Sequence, residues 1–586
     1  MTMNDSGINE SMAETYDYIV IGAGSAGCVI ANRLSEDKNK KILILEAGGN
    51  DKSVTVSMPA ALSIPMNSER FNWGLKTEPE PGLDNRIMNL PRGKGLGGSS
   101  SINGMCYVRG NPMDYELWSA KGAKGWHWGN VLPYFKKLEH SSEDGEFRGN
   151  DGPLSVKKGE AKNILYNTFV QASKEAGYAV SENMNDLQHE GMGPMEMSVK
   201  NGVRASAAKS YLYPALKRGN INIITKANVE KILFQNKKAK GVLFSRYGKK
   251  ITVKAGNGVI LCAGSIMSPK ILKLSGIGPV NELKNHAIEI ILERKEVGNN
   301  LMDHLELYIQ QECVKPITLY QYLNPFYKSL IGLQWLLFKK GPGATNHFET
   351  GGHIRSRAGV VYPDIQFHFL PIAISYDGQT DAGTHGFQVH VGTKRSKSRG
   401  WVKLRSQDPF DPPKVCFNYM TDPQDWDDMR ACITLTREIF HQPAFSSFIG
   451  SEIAPGESCN TNELMDIFIK EKVESAYHPC GTCRMGDDDS AVVDPLTMKA
   501  KGLDGLFIVD SSVMPQATAG DLNAPTLMVA ERASDLIKGR ALPEEKNAPI
   551  LGDQNWDKNQ RSDKISHDFS SNREELKKYL LNTHDK

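Results

Sequence analysis

The chain lacks any apolar run near the ~18 residues that a membrane span requires. Its most apolar stretch, Ser329–Phe338 (SLIGLQWLLF), is too short to span and reads as a buried helix. It also lacks an excess of charge. With 70 basic and 68 acidic residues, the formal net charge is +2, which gives no reason to expect a nucleic acid or an anionic membrane as partner. A disulfide framework is missing as well. Nine cysteines, an odd number, are scattered from Cys28 to Cys483 and predict reduced thiols. No 20–50-residue repeat or low-complexity block occurs. The opening MTMNDSGINESMAET is polar and lacks the basic-then-apolar order of a signal peptide. These absences predict a cytoplasmic, soluble enzyme and leave peripheral contact with the inner face of the membrane open. Homo-oligomerisation is open too.

The chain is long and ordinary in composition. Its 586 residues are 40% hydrophobic and 24% charged, enough for two or more folding units and a large core. Tyr16–Ile21 (YDYIVI) reads as a buried strand, Ala26–Leu34 as a helix, and Lys41–Leu45 (KILIL) as a second strand, a βαβ unit with short connections. Ile221–Phe244, Gly258–Cys262 and Leu506–Asp510 predict further strands, and Thr526–Ile537 a helix.

Between the first strand and the helix lies Gly22-Ala23-Gly24-Ser25-Ala26-Gly27, a G-x-G-x-x-G dinucleotide loop. Gly22 permits the tight turn, Gly24 lets backbone approach a pyrophosphate, and Gly27 lets helix and strand pack closely. The helix N-terminus supplies free N–H groups and partial positive charge. Glu46 ends the second strand about 20 residues on, where an acid binds a ribose hydroxyl. This loop does not separate FAD from NAD.

A second glycine-rich segment runs from Arg92 to Gly104 (RGKGLGGSSSING). Small, flexible and polar, it can lay its backbone against a flat ring system and donate several N–H bonds. Together with Gly264-Ser265-Ile266-Met267-Ser268-Pro269, Val297-Gly298-Asn299-Asn300-Leu301-Met302-Asp303-His304 and His478-Pro479-Cys480-Gly481-Thr482, it resembles the signatures of the glucose–methanol–choline (GMC) oxidoreductases. The resemblance runs in order from about Tyr16 to about Leu542. GKGLGGSSSINGMCYVRGNPMDYE, TNHFE, HFLPIAISYDG and YHPCGTCRMG resemble the choline-oxidising members in particular.

The resemblance implies an α/β fold. A discontinuous Rossmann-like FAD domain (14–160, 202–304 and 476–542) would carry an inserted substrate domain built on an antiparallel sheet (161–201 and 305–475). A polar tail (543–586) would follow. Within the tail, Ser571-Asn572-Arg573-Glu574 fits a capping box before a short surface helix on a flexible segment. The cofactor implied is FAD, with Ala47, Arg92, Gly97, Gly98, Ser99, Asn103, Val229, Ala263 and Asp510 joining the dinucleotide loop and Glu46 around it. In covalently flavinylated choline oxidases a histidine precedes the asparagine of the glycine-serine loop. Here that position is Ile102, which cannot attack a flavin methyl carbon, so the FAD is expected to be non-covalent.

The implied reaction is oxidation of choline to betaine aldehyde, and onward to glycine betaine, by proton abstraction and hydride transfer to flavin. His478, in a Pro-Gly turn, matches the family's active-site histidine. The second active-site position falls on Asp521, where choline-oxidising relatives place asparagine; Asn523 lies two residues on and is the other candidate. An aspartate beside His478 raises the histidine's pKa by charge attraction. Choline offers a permanent positive charge and no N–H, so only a carboxylate or aromatic faces attract it. Glu306 matches the glutamate that receives the trimethylammonium group, and His368 a further active-site histidine. Trp73, Tyr477 and Phe369 are the candidate aromatic faces. Cys480-x-x-Cys483 has neither a second pair for zinc nor a thioredoxin-like context, so no metal is expected and the two cysteines are expected to pack beside His478. The acceptor that reoxidises the flavin, whether oxygen, a quinone or a respiratory carrier, is not written in these motifs. Oxidation of another primary alcohol, or non-catalytic flavin binding, are the competing readings.

Overall fold

The computed structural model describes residues 14–375, 378 and 382–585. Met1–Ala13, on which the expectation about a signal peptide rests, and Tyr376–Asp377 of HFLPIAISYDG lie outside the described residues.

The predicted βαβ unit forms as Thr15–Ile21, Ser25–Leu34 and Ile42–Glu46. Its strands sit at the centre of a seven-stranded sheet. Ile221–Thr225, Ile42–Glu46, Thr15–Ile21 and Lys249–Leu261 run parallel, in that order, and Leu506–Ile508 adds a further parallel strand beside Lys249–Leu261. A parallel sheet buried on both faces needs continuous apolar runs, and Ile42–Glu46 is buried at every residue. Lys238–Arg246 and Asn228–Gln235 extend the sheet antiparallel. The helix Asn523–Lys538 is buried from Ala524 to Asp535; Arg33 of the first helix bonds its Glu531 at 2.7 and 2.8 Å.

A second seven-stranded sheet is antiparallel. Its order is Ile449–Ala454, Leu305–Cys313, Gly386–Thr393, Ile365–Leu370, Thr350–Ile354 and Gly191–Pro194, with Glu474–Ser475 paired to the start of Leu305–Cys313. Alternate residues Leu307, Ile309, Phe367, Phe369, Val389 and Val391 enter one core with Phe169 and Phe440 of the covering helices Ile164–Glu175 and Pro423–Phe440. The other face carries polar and aromatic residues toward the first sheet. Leu75, Leu83, Met88 and Leu90, early in the chain, also pack into this second core.

Two expectations need correction. Ser329–Phe338 is helical, within Pro325–Phe338, but it is not buried. Trp335 is its one buried residue, while Leu333, Leu336, Leu337 and Phe338 are exposed. Short length and high apolarity predict a covered helix only if another element covers it, and among the described residues none covers its outer side. The tail, in turn, is not a flexible surface segment. Its helix Arg573–Asp585 buries Leu576 and Leu580 in the first core, and Arg355 pairs with Asp553 at 2.7 Å. The short turn before that helix is capped by Asp568, which accepts from the Ser570 N–H at 2.9 Å, rather than by the Ser571–Glu574 box.

All nine cysteines are free and buried. Among the described residues no helix is long and apolar enough to cross a membrane.

Candidate active site

A cavity of about 1420 Å³ runs from the dinucleotide loop to the polar face of the antiparallel sheet. At its first end the wall is backbone. Gly22 has φ +97°, and a Cβ there would meet the Cys262 carbonyl at 2.6 Å. A Cβ on Gly27 would lie 2.0 Å from the Gly22 oxygen, and one on Gly98 (φ +53°) 2.7 Å from the Gly24 Cα. The two glycine segments therefore touch through backbone alone. Gly24 caps the first helix without any side-chain hydrogen bond, leaving its early N–H groups to the cavity.

Glu46 accepts from the N–H of Ala23 at 2.9 Å and of Gly48 at 2.7 Å. The Gly95 backbone also bonds it, so the carboxylate ties both glycine segments and keeps one acceptor site for a hydroxyl. Gly22, Gly24, Ser25, Ala26, Glu46, Ala47, Arg92, Gly98, Ser99, Asn103, Val229, Ala263 and Asp510 line the cavity. Ala23, Gly27 and Gly97 stand behind its wall. Gly97 donates to the Ala23 carbonyl at 2.8 Å, so these three shape the loop rather than face the cavity. The Asp510 carboxylate is taken up by Gly264, Ser268 and Ser512. A long cleft with backbone N–H donors, an acid and a flexible glycine-serine wall fits a dinucleotide carrying a flat ring system.

At the other end the wall is side chain. Strand register pairs Tyr308 with His390 and His390 with His368, so three distant segments form one row on one face of the sheet. The Tyr308 and His390 rings stack with centroids 3.6 Å apart, and the Phe348 edge meets His368 and His390 at 5.7 and 5.3 Å. Glu306, two residues before Tyr308, points to the same face; its Oε1 lies 3.7 Å from His390 Nδ1. Burial pushes the Glu306 carboxyl up to about 7, against the pull of Lys394 and His368.

His478 stands in the turn after Tyr477, whose φ is +64°. Asp303 holds that turn, accepting from the His478 N–H at 2.7 Å, the Tyr419 hydroxyl at 2.6 Å and the Ser475 hydroxyl. Arg92 ties the turn to the glycine-serine loop, donating to the Tyr477 carbonyl at 2.7 Å. The His478 Nε2 lies 3.3 Å from Asp521 Oδ1, and its Nδ1 is 3.0 Å from His304 Nδ1. Asp521 Oδ2 is 3.5 Å from His368 Nε2 and accepts from Gln366 at 3.1 Å. Asn523 also lines the cavity, but its Oδ1 accepts from Ser25 at 2.8 Å. Of the two candidates, Asp521 is the one brought to His478.

One ring donates its Nδ1 proton to the other across the His304–His478 contact, and His304 also bonds the Lys394 backbone. Burial lowers the pKa of His478 more than Asp521 raises it, so the upward shift expected from the aspartate is present but outweighed. Asp521 is held well below the usual carboxylate range; burial pushes it up, but hydrogen bonds from His368 and His478 prevail.

Three sequence expectations are refined here. Phe369 is not a cavity wall: it lies fully buried on the opposite face, stacked on Phe169 at 4.8 Å. Trp73 and Tyr477 do line the cavity. Cys480 and Cys483 are fully buried, the first bridged by backbone to Met302. Sequence reasoning missed Tyr308, Phe348 and His390, which only register brings together. It also missed Arg204, buried beneath the glycine-serine loop, where it donates to the Asn103 carbonyl at 2.6 Å and side chain at 2.8 Å. Burial pushes the Arg204 guanidinium down to about 9.

Comparison with known proteins agrees with this geometry. Curated relatives include the oxygen-dependent choline dehydrogenases of Brucella anthropi, 53% identical over 527 residues (89% of this chain, 96% of the relative), and of Rhizobium meliloti, 52% identical over 528 residues (89% and 96%). Among solved structures, formate oxidase from Aspergillus oryzae superposes with a TM-score of 0.85 at 26% identity, covering 90% of this chain and 98% of that one. Pyridoxine 4-oxidase from Mesorbium loti superposes with a TM-score of 0.81 at 28% identity, covering 90% and 100%. Two family models, both described as GMC oxidoreductase, match residues 16–306 and 396–530. The two matches span both the glycine loops and the His478 turn, and the chain belongs to the GMC oxidoreductase family.

Proposed function

We propose that the protein binds FAD non-covalently and oxidises choline to betaine aldehyde, continuing to glycine betaine. Residues 14–160, 202–304 and 476–542 hold the cofactor, and 161–201 and 305–475 hold the substrate. FAD, when bound, supplies the hydride acceptor. Gly22, Gly24 and Ser25 receive the pyrophosphate, Glu46 a ribose hydroxyl, and Arg92 to Asn103 the ring system. Ile102 offers no imidazole for a covalent link, so acid precipitation is expected to release all the FAD; yellow colour left in the washed pellet overturns this.

Glu306 is the observation that carries the substrate. A buried carboxylate beside Tyr308, Phe348 and His390 gives a trimethylammonium group both an opposite charge and aromatic faces, whereas an uncharged alcohol gains nothing from it. The alcohol's hydroxyl gives its proton to the His478–Asp521 pair as the hydride leaves carbon. Burial lowers the His478 pKa, which suits a proton acceptor, and Asp521 stabilises the charge that forms on it. His368 stands against the same aspartate and orients it.

The test is choline turnover by the FAD-loaded enzyme across pH. Choline requires ionised Glu306, so KM is expected to be flat above about pH 7 and to rise up to tenfold per unit below it. An uncharged substrate is expected to show no such rise. A pH-independent KM for choline overturns the assignment. The relatives' names favour oxygen as acceptor over a quinone or respiratory carrier, and turnover with oxygen against an artificial dye distinguishes these. We place the enzyme in the cytoplasm, in peripheral contact with the membrane's inner face.

A further inference from the structure

The helix Pro325–Phe338 has two unlike sides. Its inner side is narrow: Lys328, Ile331 and Gly332 line the cavity, and the Trp335 indole N–H donates to the Gly202 carbonyl at 2.7 Å. The outer side is apolar and open. Phe326 is 67% exposed, Leu333 53%, Leu337 64% and Phe338 66%, and Tyr327 and Leu330 lie between them. Positions 326, 330, 333 and 337 follow the 3.6-residue period, so these side chains form one stripe. Together with Leu336 they make a contiguous apolar surface of a kind that soluble monomers rarely present.

Charge marks what covers it. Overall the chain is balanced, yet between Glu312 and Glu349 it carries four lysines, Lys315, Lys328, Lys339 and Lys340, and no acidic residue. Lys339 and Lys340 close the last turn of this helix, while Lys328 lies on its cavity side. An apolar stripe that ends in two lysines, on a segment with no acid of its own, matches an anionic lipid surface: the stripe enters the acyl boundary while the ammonium groups reach headgroup phosphates. A protein partner of this patch would need acidic residues of its own, and a second copy of this segment offers none. The helix is too short to span, and Lys328, Ile331 and Gly332 put its inner side on the cavity wall.

We propose that Pro325–Phe338 docks the enzyme on an anionic bilayer, setting the cavity wall it forms beside the membrane surface. This deepens the peripheral contact placed above and rests on it, but not on the identity of the alcohol.

The experiment uses FAD-loaded full-length protein and flotation with vesicles of phosphatidylcholine alone or mixed with phosphatidylglycerol. Wild type is expected to float with the anionic vesicles at least tenfold better than with the neutral ones, and less so as salt rises. Leu333→Asp/Leu337→Asp is expected to lose that binding at least tenfold, with FAD content and choline turnover in solution unchanged. Lys340→Glu, a milder change on the exposed flank, is expected to weaken it severalfold. Binding that survives both substitutions overturns the helix while keeping a membrane contact. Wild type that ignores anionic vesicles overturns both. A wild-type dimer that the double substitution splits in sedimentation, with no vesicle binding by either form, assigns the surface to a second copy and overturns the proposal. Loss of choline turnover in wild type would instead count against the substrate reading alone.

Discussion

The two ends of the cavity are built by different means. The dinucleotide end is made of backbone: Gly24 and Gly98 approach so closely that a Cβ on Gly98 would lie 2.7 Å from the Gly24 Cα. The substrate end is made of side chains: Glu306, His368 and His390 arrive on three strands, and His478 and Asp521 on two turns far along the chain. A backbone site depends on what residues lack, so a single added methyl group fails there. A side-chain site depends on chemistry and register, so it fails by degrees. Substitutions at the two ends therefore break the enzyme in different ways.

The largest effect is expected at the backbone end. Gly98→Ala adds a Cβ where φ is +53° and the opposing atom is backbone that cannot turn aside. The protein is expected to purify folded but without yellow colour, and so without any activity; full FAD content measured by absorbance would show that the two loops can separate. Next is His478→Ala. Here FAD stays bound, and the rate of flavin reduction by choline in stopped flow is expected to fall about 100- to 10,000-fold, the scale of general-base catalysis. Near-normal reduction would remove His478 from the chemistry.

Glu306→Gln is expected to do less and to do it selectively. It keeps the size and removes the charge proposed to pair with choline. Preference for choline over its uncharged isostere 3,3-dimethylbutanol is expected to drop about 100-fold, near the lower end of the cost of breaking a buried ion pair. The lower end applies because Glu306 titrates at about 7 and is only partly ionised at neutral pH. Equal losses for both substrates would make Glu306 structural. The smallest effect is Asp521→Asn. Asp521 raises the His478 pKa, and burial lowers it by more. Without the aspartate, the acid limb of the kcat profile is expected to move to lower pH by about one unit or less. An unmoved limb would show that Asp521 does not reach the catalytic proton.

This contrast also explains what could be read in advance. Backbone sites leave their mark in sequence because glycine is needed where no other residue fits, and its spacing along one loop is local. Gly22, Gly24, Gly27 and Glu46 were all legible for that reason. The strands around them were legible too, since a sheet buried on both faces needs apolar runs. His478, Glu306 and His368 were reached through resemblance, not through any local signal; each is one polar residue in an ordinary strand or turn. Tyr308, Phe348 and His390 were missed because nothing in a strand states which strand lies beside it or in which register.

The sequence by itself determined the local shapes: the dinucleotide turn, the alternation that gives the second sheet one apolar and one polar face, and the absence of a histidine at Ile102. These depend on a residue's own conformational limits and on neighbours a few positions away. Only the tertiary structure decided between Asp521 and Asn523, since both lie at the start of one helix and the outcome depends on Ser25, which takes Asn523 at 2.8 Å. It alone decided that the polar tail buries Leu576 and Leu580 while the most apolar helix stays exposed. Burial is a property of what comes to lie opposite a side chain, and that is set by contacts hundreds of residues apart.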